Sequence, residues 1–131
     1  MQKIKILVPV LLFLLVISCI ITNYENESSG LIFVHNDSTS GKTITNIQIT
    51  SPGGTIWAVE TYVNESVSIV PGNRSRGYEL EIDYSSTMGL SNRYQVIIIL
   101  DDNSSVFLNN IRVFEDIDRV VTFNGTGLSL D

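Results

Sequence analysis

The amino-acid sequence predicts an all-β protein, a single small antiparallel β-sandwich that follows an N-terminal signal helix. From about residue 30 onward, apolar residues occur in short alternating or continuous stretches, which is the pattern of β-strands. Glycine, proline, asparagine, aspartate and serine separate these stretches at intervals of about 8–12 residues, the usual spacing of strands in a sandwich. Runs of helix-forming residues are almost absent from the same region.

The N-terminal segment has the order of an export signal. Lys3 and Lys5 precede an uncharged apolar run from Ile6 to Ile17, and a basic start followed by such a run is typical of a signal peptide. A membrane-spanning helix needs roughly 20 apolar residues, a length that this run reaches only marginally. The length therefore favours a signal peptide, with an uncleaved membrane anchor as the alternative.

The only cysteine lies where the apolar run ends. The sequence Val16-Ile17-Ser18-Cys19 resembles the lipobox of bacterial lipoproteins, in which aliphatic and small residues precede a cysteine. This resemblance implies that the Cys19 thiol receives a diacylglyceryl group, that cleavage follows Ser18, and that the new amino terminus is acylated with a fatty acid such as palmitate. Several acyl chains hold a protein on a membrane far more firmly than one chain does.

The predicted cleavage divides the chain into three parts. Residues 1–18 form the signal peptide, residues 19–29 a lipidated tether, and residues 30–131 the β-sandwich domain. The tether is mostly polar and lacks periodicity, as expected of a flexible linker. Because no second cysteine exists, the domain has no internal disulfide and depends on its apolar core for stability.

The first half of the domain contains four predicted strands, each bounded by turn residues. Ile47 and Ile49 give the second of them one more apolar face, and Pro52 with two glycines ends it. Pro71 and Gly72 end the fourth. The four segments are 31–35, 43–50, 56–59 and 66–70.

The second half repeats this style. Tyr78, Leu80 and Ile82 alternate with three acids, which predicts a half-buried strand. The aliphatic run 96–100 predicts that strand 94–100 is central in its sheet and covered on both faces, with a hairpin turn at 101–104. The remaining predicted strands are 105–108, 111–114 and 120–123, after which Asn124 and Gly125 end the domain before a short tail.

These segments amount to roughly six to eight short strands, as in a β-sandwich of immunoglobulin/fibronectin-like or transthyretin-like architecture. The cysteine pair of immunoglobulin domains is missing, so any such kinship is one of architecture. No repeated unit of fixed period is present, which argues against a solenoid or a propeller.

Most of the domain also resembles small β-sandwich domains of bacterial lipoproteins of the spirochaete type, a family of uncharacterised function. The segments that carry the resemblance are "VHNDSTSGKTITNIQI", "GGTIWAVE", "SIVPGNRSRGYEL" and "RYQVIIILDDNSSVFLNNIRV". They consist mainly of turn and core residues, so the resemblance implies a fold and transfers no catalytic set. Asp102-Asn103 stands where the family pattern has Asp-Gly.

Catalytic signatures are lacking. The chain has a single histidine, His35, and no Gly-x-Ser-x-Gly sequence to present a serine nucleophile. One histidine and no cysteine in the domain are a poor basis for a zinc site. The sequence therefore predicts a protein that is not an enzyme, has no cofactor and holds no structural metal.

Two groups of acidic residues are candidates for other roles. Asp101, Asp102 and Asn103, with the Ser104 that follows, contain the oxygen ligands that calcium prefers, so this turn is a candidate ligand or metal loop. The same residue types are the usual choice for a hairpin turn, which is the favoured interpretation. The acidic run 115–118 is interpreted as a solvated edge that discourages aggregation.

Aromatic residues are the second kind of binding candidate. Tyr62 and Tyr84 lie in loop-like segments, where they are available to stack on sugar rings. Trp57 is a third candidate for sugar stacking, although a core position is the favoured interpretation for a lone tryptophan in a sandwich.

The sequence as a whole indicates an exported, lipid-anchored protein of the cell membrane or outer membrane, with a binding or structural role. Its formal net charge of −6 argues against nucleic acid as a partner. The expected partners are the membrane itself, through the lipid anchor, and an envelope protein or polysaccharide. The alternative function is that of a carbohydrate-binding module with exposed aromatic residues.

Overall fold

The computed structural model describes residues 28–52, 59–82 and 92–131. Eight strands and no helix occur in these ranges, so none of their segments is a helix able to span a bilayer. The predicted signal helix, Cys19 and most of the predicted strand 56–59 lie outside them. The strands are β1 (Ser28–Asn36), β2 (Ile44–Thr50), β3 (Thr61–Ile69), β4 (Tyr78–Ile82), β5 (Arg93–Leu100), β6 (Ser105–Arg112), β7 (Arg119–Phe123) and β8 (Leu128–Leu130).

The described strands form two four-stranded sheets that pack face to face. Sheet A has the order β4-β1-β7-β8, and sheet B has the order β3-β2-β5-β6. All neighbouring strands are antiparallel except β1 and β7, which run parallel. The predicted β-sandwich is confirmed, and its one departure from the antiparallel pattern is the β1–β7 pair.

The core follows from the alternation of side chains along each strand. In β4, Tyr78, Leu80 and Ile82 are buried while Glu79 and Glu81 are exposed, because successive residues of a strand point to opposite faces. The same alternation in the other strands lines the space between the sheets with aliphatic and aromatic groups. The largest fully buried side chains include Tyr78, Phe123, Ile32, Ile44, Ile47, Ile49, Ile98, Leu100 and Ile111.

Strand β6 corrects one prediction. Segments 105–108 and 111–114 were expected to be separate strands, but one strand runs from Ser105 to Arg112. Its register against β5 shifts between Tyr94 and Val96, so a β-bulge accommodates the extra residue. Asn110 has a positive φ of 57° at this point, a conformation that asparagine tolerates better than most residues. Asn109 and Asn110, which lie between the two predicted segments, therefore form a bulge within one continuous strand.

Three further strand assignments and the burial of one strand differ from the predictions. Strand β1 begins at Ser28, and β3 begins at Thr61, five residues before its predicted start at 66. The segment expected to be a tail contains β8, which pairs with β7 through contacts such as Val121 opposite Leu130. Strand β5 is central in sheet B as predicted, but Ile97 and Ile99 on its outer side are only half-buried, so it is not fully covered on both faces.

Asn36 joins the two sheets at one end of the sandwich. Its side chain is fully buried, and its Nδ2 group donates to the carbonyl oxygens of Lys42 at 2.7 Å and Ile69 at 2.8 Å. Its Oδ1 atom accepts a hydrogen bond from the Ser40 hydroxyl. The backbone of Asn36 also bonds to Asn73 and Gly72. All polar groups of this buried residue are thus paired, which buried polar groups require to avoid a large penalty.

The two ends of the sandwich are distinct. At the distal end, Asn36 contacts the end of β3, and β5 turns into β6. At the opposite end Ser28 pairs with Ile82, and a Cβ atom on Gly30 would lie 2.3 Å from Val113 Cγ1. Arg93 and Arg112 pair at this same end. We call it the entry end, because the chain enters the sandwich there.

Candidate binding surface

The outer faces of the two sheets differ in charge. On sheet A, Glu79 and Glu81 are exposed, and the Ser29 hydroxyl donates to Glu79 Oε1 at 2.7 Å. Together with Ser28 they line an open pocket of about 330 Å³. The part of this face around the pocket is therefore polar and acidic, as expected of a solvated surface in a protein with a net charge of −6.

The outer face of sheet B carries two rows of uncharged side chains that cross all four strands. The cross-strand pairing places the members of each row directly opposite one another. Neighbours in such rows are close enough to contact one another. The first row is Asn64, Gln48, Ile97 and Phe107, and the second is Ser66, Asn46, Ile99 and Ser105.

One half of this face is amide-rich and the other half is apolar. Asn46 Nδ2 donates to Asn64 Oδ1 at 3.2 Å, which orients two side chains of the amide half. In the apolar half Phe107 is 63% exposed, beside the half-buried Ile97 and Ile99. Large apolar groups clustered on an outer face are a mark of interaction sites, whereas scattered ones are normal.

Strand β6 places this apolar half at the edge of sheet B. In the described part of the chain no strand pairs with its far side. Natural edges are commonly blocked by charged residues, yet positions 105–110 of β6 contain none. The bulge at Asn110 ends the regular stretch of the edge. A short, uncharged edge next to an exposed phenyl ring is the feature that a partner strand or loop would recognise.

The predicted acidic loop is the hairpin turn between β5 and β6. The Asn103 backbone N–H donates to the Leu100 carbonyl at 2.9 Å, and Asn103 has a positive φ of 65°. Asp102 Oδ1 accepts the Ser104 backbone N–H at 3.0 Å and also the Ser104 hydroxyl. Asp101 Oδ2 accepts the Thr43 backbone N–H at 3.2 Å. Both carboxylates thus stabilise the turn and its contact with the start of β2.

Electrostatics agree with this structural role. Hydrogen bonds from Ser104 lower the pKa of Asp102 to about 2, and the nearby Lys42 ammonium, 3.1 Å from the carboxylate, acts in the same direction. Within the described ranges no group of three or more histidine, cysteine, aspartate or glutamate side chains is placed to hold a metal ion. The Asp101 and Asp102 carboxylates instead accept hydrogen bonds from Thr43 and Ser104, and Asn103 contributes its backbone N–H to the turn.

Tyr62 is held in place although half of it is exposed. Its ring meets that of Tyr94 edge to face, with centroids 5.3 Å apart and an interplanar angle of 81°. Its hydroxyl donates to Glu60 Oε2 at 2.8 Å. Partial burial, together with the Glu60 contact, raises the pKa of Tyr62 to about 12. With 50% of its surface exposed, Tyr62 retains a free area for stacking. Tyr84 and Trp57, the other predicted stacking residues, lie outside the described residues.

His35 lies on the outer side of β1, half-buried and joined through its backbone to Arg74. Its Nδ1 atom is buried, and no group in the described ranges forms a hydrogen bond with it. A catalytic histidine is normally oriented by such a bond from a carboxylate or carbonyl. The surroundings described for His35 thus contain no orienting partner of the catalytic kind.

Comparisons with known proteins return little. No family model and no curated protein matches the chain. A solved structure titled "Type VI membrane complex" is similar to it with 11% sequence identity and a TM-score of 0.49, over 81% of this chain and 99% of that one.

The sequence analysis did not identify the two uncharged rows on the outer face of sheet B. The run 96–100 was interpreted as buried on both sides, which hid the outward position of Ile97 and Ile99. The predicted hairpin turn contained the missing signal. The observed turn brings Leu100 opposite Ser104, one residue earlier than a turn over 101–104 implies, and so places Ser105 opposite Ile99 and Phe107 opposite Ile97.

Proposed function

We propose that this chain is a non-catalytic lipoprotein of the cell envelope that binds a partner protein with the outer face of sheet B. The observation that carries the binding role is the apolar half of that face, where Phe107 is 63% exposed on the edge strand β6. Positions 105–110 of this strand are uncharged, and no described strand pairs with its far side. Exposed aromatic residues surrounded by uncharged polar groups are typical of protein interfaces.

The charge distribution favours this face over the rest of the surface. The chain is acidic overall, so most of its surface repels other acidic proteins. The two rows on sheet B contain no charged residue. Partner binding there requires no desolvation of charge, which is the costly step at most polar surfaces.

The anchor in this proposal is Cys19, supported by the basic start, the apolar run and the lipobox-like residues before the cysteine. The strand β1 begins at Ser28. Ser28 is nine positions after Cys19, and a chain segment of that length spans at most about 30 Å when fully extended. The tether would hold the sandwich close to the membrane with its entry end toward the lipid and its distal loops outward.

The binding role is tested by a photo-crosslinking amino acid placed at position 107 of the full chain in its native envelope. We expect a discrete crosslinked product at position 107. The matched control is the same amino acid at position 79, an exposed site on the acidic face of sheet A, where we expect none. Equal crosslinking at both positions, or none at 107, would contradict the proposal.

A saccharide ligand is the second candidate, favoured by the amide half of the same sheet. Tyr62 is half-exposed on β3, the strand that also contributes Asn64 to the first row. Asn64 and Asn46, joined by a hydrogen bond of 3.2 Å, add amide groups to the same strands. Aromatic rings beside amide groups are suited to sugars, which present apolar faces and hydroxyl edges.

Measuring the binding of envelope polysaccharide distinguishes a saccharide ligand from a partner protein. The sugar-binding alternative expects Tyr62→Ala to abolish binding of polysaccharide, with Phe107→Ala as the matched aromatic control. If the ligand is a partner protein, Phe107→Ala should abolish its co-purification from the envelope, and Tyr62→Ala should leave it unchanged. We also propose that His35 has no catalytic role, so His35→Ala should leave both kinds of binding unchanged.

A further inference from the structure

Four of the six basic residues in the described ranges have a partner. Lys42 pairs with Asp102, and Arg76 pairs with Glu65 at 3.1 Å. Arg74 lies over the Phe33 ring, and Arg119 lies over the Phe114 ring, although the Arg119 Nε atom is buried without a hydrogen-bond partner among the described residues. Such contacts offset the cost of placing a cation at a partly buried position.

The two remaining cations are neighbours. Arg93 of β5 pairs directly opposite Arg112 of β6. Tyr94 and Ile111, the adjacent residues, point into the core, so both arginines lie on the outer face of sheet B. Side chains at opposed positions have Cβ atoms roughly 5 Å apart, and like charges placed so are destabilising. No acidic side chain of the described residues forms an ion pair with either guanidinium.

Burial makes this arrangement more costly. The Nε atom of Arg93 is buried, and it has no hydrogen-bond partner among the described residues. An unpaired donor of this kind loses its hydration without compensation. In a chain of net charge −6, where carboxylates are plentiful, two adjacent arginines without one are unusual.

We propose that Arg93 and Arg112 form a binding site for a phosphate group. A guanidinium presents a rigid fork of N–H donors that matches the oxygens of phosphate in a bidentate manner. Two forks on one face neutralise a phosphate from two sides, and the bound anion removes the repulsion between them.

The position of the site suggests two sources of phosphate. Arg112 is followed by Val113, which contacts Gly30 near the start of β1, so the site lies at the entry end. If Cys19 is lipidated, this end faces the bilayer, and the phosphate belongs to a lipid headgroup. That source rests on the proposed lipid anchor. The other source is free phosphate or a soluble phosphate ester, which needs no anchor.

The first test measures thermal unfolding of the full chain in an uncharged maltoside detergent, with sodium phosphate or sodium acetate at matched ionic strength. We expect phosphate to raise the Tm in a saturable manner and acetate to leave it unchanged. Arg93→Gln and Arg112→Gln should each weaken phosphate binding roughly tenfold to a hundredfold. Arg74→Gln is the control. It removes the same charge from an exposed residue that lies over the Phe33 ring of β1. This variant should bind phosphate as the wild type does.

A second readout separates binding from a structural role. Without phosphate, Arg112→Gln should unfold at the same Tm as the wild type or higher, since one of two repelling charges is gone. A purely structural arginine would give a lower Tm. Equal responses to phosphate in all three variants, a response to acetate as large as that to phosphate, or a lower Tm of Arg112→Gln without phosphate would each overturn the proposal.

The source is identified by reconstitution of the full chain into vesicles of phospholipid or of phosphate-free galactolipid. A Tm that is higher in phospholipid, with the difference lost in Arg93→Gln and Arg112→Gln, supports the headgroup. Stabilisation by inorganic phosphate alone supports a soluble source. Stabilisation by neither overturns the site. Failure of the lipid anchor would leave the detergent titration unaffected, so the two failures are distinguishable.

Discussion

Asn36 at the end of β1 donates a hydrogen bond to the carbonyl oxygen of Ile69 at the end of β3, and this buried contact connects sheet A to sheet B. The Asn36 Nδ2 group also donates to the Lys42 carbonyl oxygen, and Asn36 Oδ1 accepts a hydrogen bond from the Ser40 hydroxyl. One side chain thus fixes the turn after β1 and the end of β3 against each other. This arrangement keeps the distal end closed without a disulfide.

Replacing this side chain should destabilise the domain strongly. Asn36→Ala removes the side-chain donor to the Lys42 and Ile69 carbonyl groups and the acceptor of the Ser40 hydroxyl, which keeps only its longer contact of 3.3 Å with the Lys42 carbonyl. Each interior group that loses its hydrogen bond costs about 1–3 kcal/mol. We therefore expect the free energy of unfolding to fall by about 3 kcal/mol or more, measured by urea denaturation. Asn64→Ala, at an exposed position with a single hydrogen bond, is the control, with a change of about 0.5 kcal/mol or less. Similar losses in the two variants would contradict the role given to Asn36.

The close packing of β1 against the segment after β6 gives a second prediction. A Cβ atom on Gly30 would lie 2.3 Å from Val113 Cγ1 and 2.5 Å from the Phe114 carbonyl oxygen. Because a backbone group must move to make room, Gly30→Ala should destabilise the domain by about 1–3 kcal/mol in thermal or urea unfolding. Gly127→Ala is the matched control, since a Cβ there meets nothing within 4 Å. An unchanged stability of Gly30→Ala would show that β1 and residues 113–114 are not in contact.

Tyr94 provides a second connection between the sheets. Its buried hydroxyl donates to the backbone carbonyl of Glu81 in β4. Tyr94→Phe keeps the ring and removes this bond, so we expect a loss of about 1 kcal/mol in the free energy of unfolding. Tyr62→Phe also removes one hydroxyl hydrogen bond, but at a half-exposed site, and should change stability less. The reverse order of the two variants would contradict the described packing.

The β5–β6 turn should make stability depend on acidity. The pKa of Asp102 is lowered from 3.8 to about 2 in the folded protein, because the Ser104 hydrogen bonds favour the ionised carboxylate. A lowered pKa contributes stability above the unfolded value, and this contribution is lost as the pH falls from about 4 toward 2. The stability advantage of the wild type over Asp102→Asn should therefore shrink across this range, measured by urea unfolding at each pH. Asp116→Asn, an exposed charge-matched variant, is the control. An advantage that stays constant from pH 4 to 2 would contradict this role of Asp102.

The binding face predicts a separation between stability and function. Phe107 is largely exposed, so Phe107→Asp should change the free energy of unfolding by no more than about 0.5 kcal/mol. It should nevertheless abolish partner binding, because a charge at the centre of an apolar contact loses its hydration without compensation. Co-purification from the envelope, with Glu79→Gln as the surface control, measures this. Retained binding by a folded Phe107→Asp variant would exclude this face.

The strands were predictable because their side chains alternate. Tyr78, Leu80 and Ile82 are separated by acids, and such a pattern is stable only with one face buried and one in water. The turn at Asp101 to Ser104 was predictable for a similar reason, since aspartate, asparagine and serine hydrogen-bond the backbone locally. Local chemistry was sufficient in both cases.

Features that depend on distant pairing were not predictable from the sequence. The parallel alignment of β1 with β7 joins residues almost ninety positions apart, such as Ile32 and Arg119, and no local pattern specifies it. In the sequence Asn36 resembles an ordinary turn residue. Its hydrogen bonds to the carbonyl groups of Lys42 and Ile69 exist only because the fold brings these residues together. The Arg93–Arg112 pair likewise became visible only once the bulge in β6 had set the register.

The mass of the N-terminal peptide of the native membrane-bound protein is the most direct test of whether Cys19 is the lipid anchor. We expect a peptide that begins at Cys19 and carries a diacylglyceryl group, with residues 1–18 removed. A chain that begins at Met1 with an unmodified Cys19 thiol would contradict it. The apolar run would then be an uncleaved anchor, and the protein would not be a lipoprotein.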